Sequence, residues 1–318
     1  MKILVTGGAG FIGSALTKRL LQEGHHVRVF DDYSRGVPDR LRDIVPSIEM
    51  MQGDVRDPVQ VDRAVQGIEM LYHLAAVNGT ENFYTKPDVV LEVAVKGTMY
   101  TMESAIKHRV RRYVLFSSSE VYQEPTMVPT PETERMIVPD VSNPRYSYGG
   151  GKIIGELLGL HYLQKHGVEV VIVRPHNIYG PDMGHEHVVP QFIERMKKSE
   201  KESNEASIKF TIQGDGSETR AFCFISDAID GFVCAAEKGD PGEIYHVGTN
   251  EEVTIRELAL LIAKTMGITI TIVPGPRTAG STPRRCPDIA KLSALGYRPH
   301  VSLAEGIRQT CENEHALL

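Results

Sequence analysis

Tyr148 and Lys152 stand four residues apart in Tyr148-Gly149-Gly150-Gly151-Lys152. On a helix that spacing puts both side chains on one face. A lysine ammonium beside a phenol favours the phenolate, and a phenolate can accept a hydroxyl proton while the carbon beneath releases hydride. A tyrosine–lysine pair of this kind is common on surface helices, so its neighbours must decide its meaning. The three glycines each cost about 1 kcal/mol in a helix relative to alanine. Close approach of a ligand or of a second helix would rationalise that cost. A second reactive set, Phe116-Ser117-Ser118-Ser119-Glu120-Val121-Tyr122, follows a strand-like run and brings hydroxyls and a carboxylate to its end.

A third set is Gly7-Gly8-Ala9-Gly10-Phe11-Ile12-Gly13, which leaves the apolar run Ile3–Thr6 and opens a helical pattern. Gly7 permits a tight turn, Gly10 lets the backbone approach a pyrophosphate, and Gly13 lets the helix pack on the sheet. Asp31 ends the second strand-like run, where a carboxylate accepts hydrogen bonds from ribose hydroxyls and repels a 2′-phosphate. NAD is therefore expected over NADP. Arg35 is the nearby group that would accommodate such a phosphate.

These sets need a scaffold. Short apolar runs at Ile3–Thr6, His26–Phe30, Glu49–Gln52, Met70–Leu74, Tyr113–Phe116 and Val168–Val173 alternate with helical patterns at Ile12–Gln22, Val89–His108 and Gly149–Lys165. Such alternation predicts an α/β fold, a Rossmann-type doubly wound parallel sheet. After Gly180 the elements shorten, with a strand-like run at Phe210–Gln213 and helices at Asp227–Ala236 and Ile255–Thr265. That part is expected to be a smaller α/β substrate-binding cap over the carboxyl ends of the sheet. The boundaries expected are residues 1–177 for the NAD-binding unit, joined by residues 223–246, with 178–318 mostly substrate-binding and interleaved with it. The polar run Lys197–Ser207 predicts an exposed loop.

The 318 residues carry a net charge of −6, which does not support bulk attraction to nucleic acid. Cys223, Cys234, Cys286 and Cys311 have neither metal-ligand nor disulfide-framework spacing. Neither a signal peptide nor a membrane-spanning apolar run is evident, so a cytoplasmic protein without nucleic-acid, membrane or metal partners is expected.

Taken in order and spacing, Gly7–Gly13, Asp31, Asp54-Val55, His73-Leu74-Ala75-Ala76, the serine run, Tyr148/Lys152, Arg174-Pro175-His176-Asn177-Ile178-Tyr179-Gly180-Pro181, Gly214-Asp215-Gly216, Thr219-Arg220 and Arg285-Cys286-Pro287-Asp288 extend over essentially the whole chain. The set resembles the extended short-chain dehydrogenase/reductases, the NAD-dependent epimerase/dehydratase family acting on nucleotide sugars. The resemblance implies Tyr148 as catalytic base, Lys152 as its partner, and Ser118 as the hydroxyl that meets the sugar O4. Counting forward from Phe116 instead selects Ser119, which otherwise falls to the substrate side. It also implies cofactor contacts from Gly7, Gly10, Phe11, Ile12, Gly13, Asp31, Asp32, Arg35, Asp54, Val55, Leu74, Ala75, Ala76, Tyr148, Lys152 and His176. Substrate contacts fall to Ser119, Asn177, Val189, Arg220 and Arg285. A homodimer through the helices at Val89–His108 and Gly149–Lys165 is implied as well. Two residues depart from the family pattern: Ala94 stands where asparagine is usual, and Gln123 where glycine is usual.

Oxidation at C4 of a sugar acidifies C3 and C5, so one first step serves several outcomes. A 4-epimerase of a UDP-sugar asks for the fewest specialised groups and is the leading expectation. Glu120 opens the alternatives: a 4,6-dehydratase, a UDP-glucuronate decarboxylase or a 3,5-epimerase, each using it near C5. A non-catalytic NAD-binding sensor or scaffold is the alternative of another class.

Overall fold

The computed structural model describes residues 1–184, 187–202, 207–276 and 282–313. Its sheet contains β1 (Lys2–Thr6), β2 (His26–Asp31), β3 (Glu49–Gln52), β4 (Met70–His73), β5 (Arg112–Phe116), β6 (Glu169–Pro175) and β7 (Ile244–Val247). The strand order is β7-β6-β5-β4-β1-β2-β3, and every pairing is parallel. All residues of β4 and β5 are buried, as in strands covered on both faces.

The covering helices are α1 (Phe11–Gln22), α2 (Pro58–Val65), α3 (Thr98–Lys107), α4 (Ser147–Leu158) and α5 (Ile225–Lys238). On one face Leu16 and Leu20 of α1 and Phe232 of α5 pack with Val5, Tyr72 and Val114. On the other, Val61 of α2 and Met102 and Ala105 of α3 pack with Leu4, Leu71 and Leu115. The doubly wound sheet expected from the alternation is therefore what forms. Strand order reverses between β1 and β4, and in such sheets ligands bind at the carboxyl ends beside that reversal.

Two helices are less regular than their periodicity implies. The helix Pro87–Leu91 reaches α3 through a π-helical turn at Glu92–Gly97, and α4 runs on through another at Gly159–Leu163. The first turn carries Ala94, which packs against α4.

Helices Val188–Glu202, Ile255–Thr265 and Leu303–Asn313 and the parallel strands Ile208–Gln213 and Ile270–Gly275 form the cap. Its own core includes Phe192, Ile193, Phe210, Leu258, Ile262 and Ile307. Here the expected loop at Lys197–Ser207 is corrected. Lys197–Glu202 continues the helix begun at Val188, whose buried Val189, Phe192, Ile193 and Met196 recur at helical spacing. Residues 203–206 lie outside the described residues. Among the described residues no helix is long and apolar enough to cross a membrane.

Candidate active site

The glycine turn is shaped by close contacts. Gly7 takes φ +70°, and an added Cβ would stand 2.9 Å from the Ala75 nitrogen. At Gly13 it would meet the Gly7 carbonyl oxygen at 2.1 Å, so only glycine lets α1 start here. The amide end of α1 thus opens on a cleft lined by Gly7, Gly10, Phe11, Ile12 and Gly13, a favourable place for a pyrophosphate. Asp31 lines the same cleft. One carboxylate oxygen accepts from the Ala9 N–H and the other from the Tyr33 N–H, both at 2.9 Å. Burial pushes its pKa up, and the two backbone donors pull it back. Asp32, Arg35, Val55, Leu74, Ala75 and Ala76 complete this end.

Three cationic arrangements there go beyond the sequence reading. Arg35 donates to the Asn78 carbonyl. Arg40 donates to the Ala9 carbonyl at 3.3 Å and to the Asp182 carbonyl at 2.8 Å, tying the glycine turn to the segment after β6. Asp54, expected to touch the cofactor, instead binds Arg56 at 2.6 Å. Gly53 and Val55 line the cleft on either side of it, with the Asp54 side chain turned to Arg56.

Tyr148 and Lys152 are both buried on α4. The Tyr148 ring stacks on Phe83, with centroids 5.2 Å apart. Burial pushes its phenol up to about 12, while a hydrogen bond with Ser118, and then the charge of Arg35, pull it down. Burial pushes the Lys152 ammonium down to about 8, and the Glu156 carboxylate opposes that shift. Lys152 Nζ donates to the Phe116 carbonyl at 2.6 Å and lies 5.6 Å from the Tyr148 ring centroid. Lys152 thus stands beside the phenol while anchored to the end of β5, and Ser118 and Arg35 also lower the phenol.

Two glycines of the run answer to packing. An added Cβ at Gly151 would stand 2.6 Å from the Ala94 Cβ, so α4 and the π-helical turn touch backbone to methyl. At Gly149 it would lie 2.9 Å from both the Gln123 Nε2 and the Glu120 carbonyl oxygen. Gly150 meets only ordinary contact, 3.6 Å from Val138. Behind α4, Glu156 binds Arg174 through two bonds, at 2.8 and 2.6 Å, and accepts from Ser117.

The substrate end grows from β5. Ser118 caps the turn Ser119–Val121, its hydroxyl accepting the Glu120 N–H at 3.1 Å. Glu120 Oε1 accepts from Arg285 Nη1 at 2.6 Å. The Arg285 charge holds the carboxyl below its ordinary range against burial, with Arg145 and Arg220 adding to the effect. Arg285 also donates to the Thr282 hydroxyl at 3.2 Å, Thr282 donates to the Gln123 carbonyl at 2.8 Å, and Gln123 Nε2 donates to the Glu120 carbonyl at 2.6 Å. This ring explains Gln123. Its φ of +53° costs about 1 kcal/mol in a residue with a side chain, and its amide braces the loop that carries Glu120.

Ser118, Ser119, Glu120, Tyr148, Lys152, Asn177, Val189 and Arg285 all line the one cleft with the glycine turn and Asp31. Besides Asp54, two expected residues do not. His176 is fully buried behind the cleft, 4.6 Å from the His246 ring, with burial holding it neutral. Arg220 lies beside Arg285 on paired strands, outside the cleft lining; burial first, then its neighbour's charge, push it down to about 10. His73 is held between the Thr6 and Thr98 hydroxyls, at 2.8 and 3.1 Å, and burial drives it down to about 3. The residue missed is Arg145, which lines the cleft near Glu120. Its sole sequence signal is a cation three residues before Tyr148.

A cleft of this build, at the reversal point of a doubly wound sheet, defines a dinucleotide-dependent enzyme of the Rossmann class. The chain belongs to the NAD dependent epimerase/dehydratase family, whose model matches residues 3–248. It is 34% identical over 313 residues to UDP-glucuronic acid decarboxylase 5 of Arabidopsis thaliana, covering 96% of this chain and 87% of that one. The structure of the UDP-glucose 4-epimerase of Thermotoga maritima, solved with UDP-glucose, matches with a TM-score of 0.88 and 28% identity, covering 99% of each chain. The dTDP-glucose 4,6-dehydratase of Streptomyces venezuelae, solved with NAD, gives 0.87 and 28%, covering 100% of this chain and 98% of that one. The protein is an NAD-dependent enzyme, and the side-chain-free glycine turn and the inward Asp31 carboxylate fit that cofactor.

Proposed function

We propose that the protein is a nucleotide-sugar decarboxylase. It would oxidise C4 of a UDP-hexuronate, release the C6 carboxyl as carbon dioxide, and reduce the C4 ketone again. The observation that carries this reading is the Glu120–Arg285 pair, 2.6 Å apart in the cleft that holds Tyr148 and Ser118. Tyr148 would accept the O4 proton, steadied by Ser118, and the bound NAD supplies the hydride acceptor and later the donor. The ketone makes the C5–C6 bond that of a β-keto acid. As that bond breaks, its electron pair moves to the C4 oxygen, where the protonated Tyr148 donates a hydrogen bond. Glu120 is held ionised and stores no proton at neutral pH; it would orient a solvent water that delivers one to C5, the hydroxide left behind combining with the released carbon dioxide as bicarbonate. Similarity to the Arabidopsis decarboxylase supports this choice.

4-Epimerisation is the second reading, supported by similarity to the Thermotoga maritima 4-epimerase. It uses Tyr148 and Ser118 but assigns no work to Glu120. The two are separated by incubating the enzyme with NAD and UDP-glucuronate, UDP-glucose or dTDP-glucose in deuterated water. Loss of carbon dioxide with deuterium at C5 is expected. A product of unchanged mass without deuterium at C5 overturns the decarboxylase reading in favour of epimerisation, and loss of water overturns both.

We further propose a homodimer through α4 and the helical run ending in α3. Leu91, Ile154 and Leu157 there are 41, 39 and 49% exposed, an apolar face that pairing would cover. Light scattering at micromolar concentration tests this, and a monomer mass overturns it.

A further inference from the structure

Arg145 lies in the turn Pro144–Tyr146, directly before α4. Its backbone N–H is taken by the Asn143 side chain at 3.0 Å. Its guanidinium is different: Nε is shut off from solvent with no acceptor, and no carboxylate among the described residues lies within ion-pair distance of it. The other two arginines of this end are matched, Arg285 to Glu120 at 2.6 Å and Arg220 to Glu218 at 3.5 Å. Arg145 nevertheless lines the cleft with Tyr148 and acts electrostatically on Glu120. A half-buried guanidinium without an acceptor is costly to keep, and its fork suits a carboxylate.

We infer that Arg145 binds the carboxylate on C5 of the substrate sugar and so selects hexuronates over neutral hexoses. The inference rests on the hexuronate reading above and adds its specificity residue. Position decides between the two anions of such a substrate. Tyr148 meets the oxygen on C4, and C5 with its carboxyl is the next ring atom. The diphosphate hangs from C1, across the ring from C4. Arg145 lines the cleft with Tyr148 and acts on Glu120, the group assigned above to C5, so the C5 carboxyl is the anion we assign to it.

The test is binding to the NAD-loaded enzyme by titration calorimetry, with UDP-glucuronate, UDP-glucose and UDP as probes. Wild type should prefer UDP-glucuronate to UDP-glucose. Arg145→Met should weaken UDP-glucuronate by roughly 10- to 100-fold, the loss of one charge-assisted contact, and leave UDP-glucose and UDP within about twofold. Arg145→Lys, which keeps the charge and loses the fork, should fall between, with a thermal midpoint like wild type. Equal weakening of all three probes assigns Arg145 to the diphosphate and overturns the inference, as does an unchanged preference in Arg145→Met. A wild type with no preference for UDP-glucuronate overturns this inference together with the hexuronate reading. An enzyme that binds UDP-glucuronate through Arg145 yet returns a product of unchanged mass sinks decarboxylation alone.

Discussion

Glu156→Gln tests whether the buried network behind α4 serves both the fold and the catalytic pair. Glu156 and Arg174 are each 1% exposed, and the carboxylate takes two guanidinium bonds, at 2.8 and 2.6 Å, besides the Ser117 hydroxyl. Glutamine keeps the shape but offers one acceptor oxygen, turning an NH₂ toward donors. Arg174 would retain the Tyr122 hydroxyl and the Glu132 carbonyl, neither of them charged. Breaking a buried pair by removing one charge costs about 3–5 kcal/mol, a large part of a total stability of about 5–15 kcal/mol. Urea unfolding reads that loss. The same change removes the carboxylate that opposes the fall of the Lys152 pKa to about 8. The ammonium should then be lost at lower pH, and the basic limb of the pH–rate profile should move down with it. Replacing both partners by apolar residues, Glu156→Leu with Arg174→Met, should recover most of the stability, since removing both charges is often neutral. It should leave the limb displaced. A Glu156→Gln variant within about 1 kcal/mol of wild type, with its pH profile unmoved, would refute the reasoning.

Three further outcomes follow from the same contacts. Tyr148→Phe should lower turnover by roughly 100- to 10,000-fold with NAD affinity and melting temperature kept, and near-normal turnover would remove Tyr148 as proton acceptor. Asp31 should make NAD bind more tightly than NADP, with Asp31→Asn narrowing the gap; a wild-type titration with equal affinities would contradict the ribose role. Acid should destabilise the fold through its buried histidines. His73 and His246 are pushed down to about 3 and His176 well below its ordinary value, burial first in each case. Below about pH 6.5 the unfolded chain therefore binds protons that the native one does not, and each histidine should remove about 1.4 kcal/mol per pH unit as pH falls toward 3. Urea midpoints that stay level from pH 7 to pH 4.5 would rule this out.

Read alone, the sequence determined the scaffold and the cofactor end, because those signals are local. Apolar runs alternating with helical patterns require a doubly wound sheet, and Gly7, Gly13 and Asp31 sit at positions that strand ends and a helix start dictate. Where two local signals competed, the tertiary contact decided. Lys197–Glu202 looks like loop in composition, but the buried stripe from Val189 to Met196 carries the helix through it. Side-chain direction was beyond reach: Asp54 turns to Arg56, and His176 packs behind the cleft. So was the cost of the glycine run, since Gly151 answers to Ala94, 57 positions earlier in the chain. The substrate end was least legible. Glu120 meets Arg285 across 165 residues because Arg284–Arg285 lies parallel to Thr219–Ala221 and Thr282 braces the loop through Gln123. A charge pair of that separation leaves no periodicity or spacing in the chain; only the packing of cap on sheet brings it together, and with it the unmatched guanidinium of Arg145.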